Sequence, residues 1–194
     1  VIPTLPLAAR NRLADTILRA VHDGHARRTL AALAAGEVDA GAWLDTVGAE
    51  HLERLRARAR RAHEALAPLA LDASTLDAAA ALFDAGLGFE VHELLEPHWS
   101  AATGREREAL QGLIQIAVGY QHLANGNVAG ARALLGEGAT RLSAGRLDDL
   151  DVQGFVAAVL QAVDALPDAA DAPRFPRKSG QRDTCSRRDP WTSD

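Results

Sequence analysis

Six side chains near the middle of the chain have the types and spacing to do chemistry: His92, Glu96 and Trp99 in one run, then Gln111, Gln115 and His122. An imidazole and a carboxylate four residues apart lie one helical turn from each other and can offer two ligands to a divalent metal ion, leaving positions open for water. His122 is the chemically obvious third ligand. The amides of Gln111 and Gln115 are poor ligands for a first-row metal but good bridges, donating to a carboxylate and accepting from an imidazole N–H. The indole of Trp99 can close such a pocket as an apolar lid or pack into the core. His92, Glu96 and His122 are thus the metal candidates, and Trp99, Gln111 and Gln115 the candidates for touching a small polar ligand. No residue is singled out as catalytic. Any catalysis at such a site would be metal-assisted hydrolysis, with Glu96 or a metal-bound water as the base. The metalloprotease signature is absent, because Glu96 stands where its second histidine would be.

At about 100° per residue, His92, Glu96 and Trp99 fall within about 60° of one another, and Gln111, Gln115 and His122 share a similar stripe on the next helix. Folding the two helices about a turn at Gly104, with a rise of about 1.5 Å per residue, sets Gln115 opposite His92 and Gln111 opposite Glu96. His122 then lies about 9 Å farther along. Buried polar groups without partners cost about 1–3 kcal/mol each, so the two stripes must serve something. One reading is a cation or small-ligand pocket. The other is a structural His–Gln–Glu hydrogen-bond network that fixes helix register in a non-catalytic protein-interaction module. Pro97, inside the first helix, removes an N–H that would bond the Glu93 carbonyl and is expected to kink the helix there.

The ordered set His92-x-x-x-Glu96-x-x-Trp99, preceded by Phe83-x-x-Gly86 and followed by Gln111-Gly112-Leu113-Ile114-Gln115, His122, Gly126-Asn127 and Gly130-Ala131, resembles the domain of unknown function 309 family over roughly residues 76–145. The resemblance implies a small all-α domain of bacteria and archaea without an established activity, for which metal binding through the His/Glu motif has been suggested. By that resemblance His92, Glu96 and Trp99 inherit the suggested role, and Gln111, Gln115 and His122 inherit membership of the motif.

Apolar residues recur at helical spacing through most of the chain. Residues 7–35 read as one bent helix or two shorter ones with a weak point at Gly24, and 47–66 as a long helix stopped by Pro68. Further helices are expected through Ala85, over 89–102 and 105–124, from an Asn127 cap to Gly145, and over 152–166. The fold class is all-α, an antiparallel multi-helix bundle with short Gly/Asn turns. Three regions are expected: an N-terminal helical region over 1–70, a helical domain over 71–166 carrying the motif, and a disordered tail over 167–194, where the apolar period vanishes among Pro, Arg, Ser and Asp. The arginines at 54, 56, 58, 60 and 61 invite a phosphate-binding reading. Glu50 with Arg54, and Arg60 with Glu64, stand at i,i+4 spacing and favour a solvated, partly paired face instead. His22 and His25, with His51 or His63, offer a weaker second imidazole cluster.

The chain's 194 residues are 47% apolar, 24% charged and 4% aromatic, with a net charge of -5. Such mild acidity argues against nucleic acid as a partner, because phosphate neutralisation supplies most of that affinity. Cys185 is the single cysteine, so no disulfide can form within the chain and a cytoplasmic setting is expected. No apolar run reaches membrane-spanning length. A homo-oligomer or a protein partner remains open on these grounds.

Overall fold

Most of the helices bury an apolar stripe against a neighbouring helix. The computed structural model describes residues 5–38, 49–147, 150–167 and 172–177, and eight helices lie within them. By contacts the chain divides into two compact units at residues 78 and 79.

In the first unit α1 (Leu7–Ala20), α2 (Gly24–Ala35) and α3 (Ala49–Leu66) pack on one another. The core is made by Leu13, Ile17, Leu30, Leu33, Leu55 and Leu66, all within 1% of full burial. The stretch 7–35 is therefore two helices, and the break has a cause: Asp23 Oδ1 accepts the His25 N–H at 2.8 Å and caps α2. Arg27 closes the gap by donating to the carbonyls of Ala20, Val21 and Leu69 at 3.0, 3.0 and 2.6 Å, two of them carbonyls that the end of α1 leaves without helical partners.

Into the second unit runs α4 (Thr75–Asp84), capped by Ser74, whose Oγ accepts the Asp77 N–H at 3.2 Å. Then follow α5 (Gly88–Ala101), α6 (Gly104–Ala124), α7 (Val128–Ala144) and α8 (Gln153–Ala165), each of these packing on the next. Short turns separate α5, α6 and α7, and Asn127 caps α7 by accepting the Gly130 N–H at 3.0 Å, as its sequence position requires. The all-α fold class holds. No helix among the described residues is long and apolar enough to cross a membrane.

The centre of this unit is aromatic. Phe83 meets Tyr120 and Phe155 edge-on, each with centroids 5.8 Å apart, and tilts against Phe175 at 5.4 Å. Phe175 belongs to the stretch expected to be a structureless tail, and for residues 172–177 that expectation is corrected. Phe175 is 2% exposed, its N–H donates to Asp84 Oδ1 at 2.9 Å, and Arg174 and Arg177 reach Asp84 Oδ2 at 3.3 and 2.7 Å. An aromatic ring and a carboxylate far away in sequence hold the segment. Residues 178–194, with Cys185 and Trp191, lie outside the described residues.

Burial pushes the Tyr120 phenol well above its ordinary value, so the folded state favours the neutral form. An unfolded tyrosine ionises near pH 10. The associated stability is fully present below that pH and falls as the pH rises above it. Because Tyr120 is the chain's only tyrosine, phenolate absorbance reports it alone. That absorbance is expected to rise only together with loss of the helical circular-dichroism signal. A titration near pH 10 with the helices intact would contradict this.

Candidate functional site

The site is built on α5. His92 is half-buried, with its Nδ1 3.4 Å from Glu93 Oε1 and its Nε2 3.9 Å from Glu96 Oε2, so that a carboxylate stands at each ring nitrogen. The three side chains are 32%, 37% and 51% exposed respectively. One ligand atom from each of the three lies within 4.8 Å of the other two, the only such trio found among the described residues. Phe89, one turn earlier, sets its ring edge-on to the imidazole at 6.4 Å and limits how far it can turn. Helix α5 continues past Pro97 to Ala101. Pro97 is exposed, so its ring projects away from the packed face of the helix.

Glu93 is the member of this group that sequence reasoning missed. On a helical wheel it sits about 100° from His92, but its side chain is long enough to swing back to Nδ1. The signal was its i,i+3 relation to Glu96, which is as close on a helix surface as the i,i+4 pair.

His122 is not in the group. Its Nδ1 faces Asn127 Nδ2 at 2.7 Å, and an amide N–H donating there occupies the lone pair that a metal would need. Asn127 thus caps α7 with its oxygen and fixes His122 with its nitrogen. A side chain at Gly130 would come within 2.6 Å of Asn127 Nδ2 and 2.8 Å of His122 Nδ1, which accounts for His122, Asn127 and Gly130 as one turn-building cluster. Of the expected set His92, Glu96 and His122, the structure brings the first two together, with Glu93 beside them, and places His122 against Asn127 at the turn before α7.

The two glutamines bond partners other than His92 and Glu96. Gln111 Oε1 accepts from Trp99 Nε1 at 3.2 Å, joining α5 to α6. Gln115 turns to α7, where hydrogen bonds from Gln115 first and Arg141 second hold the Glu137 carboxyl below the usual carboxylate range. Arg141 also bonds Glu108 at 2.8 Å. Helix α6 packs on both α5 and α7, so its polar stripe is divided between two neighbours. Trp99 is half-buried, with the Arg107 guanidinium 4.0 Å above its ring. Arg107 also donates to the Trp99 carbonyl at 2.7 Å, tying the last turn of α5 to the first of α6.

A second carboxylate that sequence reasoning passed over is Glu90, fully buried in the first turn of α5, where the positive end of the helix dipole favours it. The second imidazole cluster is not formed: His22 Nδ1 bonds the Leu71 carbonyl at 3.0 Å, and none of the four histidines belongs to a metal-competent group among the described residues.

The family model described as "Domain of unknown function (DUF309)" matches residues 76–134, in agreement with the resemblance carried by the motifs. The matched segment holds His92, Glu93, Glu96, Trp99, Gln111, Gln115 and His122, while Glu137, Arg141 and Phe175 lie beyond it. No curated protein and no solved structure matches this chain.

Proposed function

We propose that His92, Glu93 and Glu96 form a divalent-cation site on the surface of α5, with water or a small polar ligand completing the coordination shell. The observation that carries this reading is the convergence of three ligand atoms within 4.8 Å on little more than one helical turn. The donor set fits: one imidazole and two carboxylates suit borderline and hard divalent ions alike. Partial exposure leaves room for water ligands. A cation held there would supply Lewis-acid polarisation to a bound oxygen. The chain's own residues orient it, through Phe89 behind the imidazole and the two flanking carboxylates.

Calorimetric titration of tag-free protein with zinc or manganese chloride tests this. One equivalent is expected to bind, and His92→Ala or Glu96→Gln to weaken it about tenfold or more, because each removes one of three ligands. The metal-free melting temperature should stay near that of the wild type, because these side chains are half-exposed. His122→Ala should leave cation affinity unchanged. Absence of saturable binding, or binding indifferent to His92→Ala, would remove the proposal.

The Trp99–Gln111 hydrogen bond supports a second reading, a non-catalytic interaction module in which the polar stripe sets the register of α5 on α6. Gln111→Leu would then cost about 1 kcal/mol of stability by loss of one hydrogen bond and leave cation affinity untouched.

A further inference from the structure

The first unit carries a groove of about 580 Å³ that the site on α5 does not use. Alanines of α2 form its floor, and Arg28, Arg60 and His63 edge it, with Glu37 as its one acid. Cations on a helix surface are usually neutralised by neighbours, and the spacing of Arg60 and Glu64 predicts such a pair. It does not form: among the described residues, the side chains of Arg28, Arg60, His63 and Glu64 take part in no ion pair or hydrogen bond. His63 Nδ1 is buried without a partner, and so is the Nε of Arg56, one turn before Arg60. The Arg56 guanidinium lies against Gly36, where an added side chain would meet it at 3.6 Å. Polar atoms left in this state cost stability unless something else completes them.

We propose that this groove binds a small organic oxyanion, its charge held by the guanidiniums of Arg28 and Arg60 beside His63, its slender apolar body lying on the alanine floor. Two guanidiniums can grip a phosphate or carboxylate in paired, charge-assisted hydrogen bonds. Alanine side chains end at Cβ, so the surface between the long side chains is low and apolar, a shelf on which a ring or a short alkyl chain can lie. The volume falls in the range of about 300–1,000 Å³ typical of small-ligand sites. A polyanion fits less well, because nucleic-acid affinity needs many phosphate contacts and the chain as a whole carries a charge of -5.

The test is calorimetric titration of the whole chain with phenyl phosphate, alongside inorganic phosphate and benzyl alcohol, for the wild type and the Arg28→Gln/Arg60→Gln double variant. Both arginines are exposed, so the variant should fold, and its melting curve verifies that. The expected result is saturable one-to-one binding of phenyl phosphate, weaker binding of both control compounds, and at least about a tenfold loss in the double variant. No saturable binding, binding unchanged in the double variant, or inorganic phosphate bound as tightly as phenyl phosphate would each overturn it.

Discussion

Alanine at Gly138 is expected to destabilise the protein by about 3 kcal/mol, whereas alanine at Gly136, two residues earlier on the same helix, should stabilise it by up to about 1 kcal/mol. The difference lies in what a Cβ would meet. At Gly138 it would lie 2.8 Å from the Gly112 carbonyl oxygen and 3.0 Å from the Ile116 nitrogen, and at Gly112 it would lie 2.7 Å from the Gly138 oxygen. These are backbone atoms, which cannot swing aside. The same close approach recurs where Gly119 meets Leu135 and Gly145 meets Ala109, so α6 and α7 run antiparallel with their backbones nearly in contact. At Gly136 nothing lies within 4 Å, and alanine there only reduces the freedom of the unfolded chain. Urea denaturation of the two variants checks the pair. Equal effects would mean that the helices are not this close.

Phe175→Ala should cost about 3 kcal/mol, the lower end of the range for emptying a buried phenylalanine site. The ring is 2% exposed and lies between Phe83 and Phe155, at 5.4 and 6.0 Å. The segment that carries it is also held by the Asp84 carboxylate, itself 7% exposed and bonded by two guanidiniums. Losing the ring exposes the aromatic centre of the unit even if residues 172–177 merely detach. Equilibrium unfolding measures this directly, and a change below about 0.5 kcal/mol, the level of an ordinary surface substitution, would show that the segment contributes nothing to the fold.

Sequence reasoning read most of the helices because their apolar period and their caps are local signals. Asn127 capping α7 and Gly36 ending α2 with φ of 76° are both visible in the residue types. Long-range partners were not visible. Nothing near Phe175 announces Phe83 or Asp84, some ninety residues away, so a Pro- and Arg-rich stretch read as a tail. The mutual approach of Gly112 and Gly138 depends on which faces of two helices meet, and a single helix cannot reveal that. At the site, the neighbourhood of His92 and Glu96 followed from one turn of helix, but the fates of His122 and Gln115 were decided by α7. Asn127 uses the imidazole for the turn, and Glu137 takes the amide. The direction of its Cβ alone does not place Glu93 beside His92; the reach of its side chain does.

Anomalous diffraction from crystals grown with zinc or manganese bears most directly on the cation site. A single strong peak is expected on α5, bonded by a His92 ring nitrogen and a Glu96 oxygen at about 2.0–2.2 Å, with Glu93 turned toward it. A peak held by other side chains, or none while His92 and Glu96 point apart, would contradict the assignment.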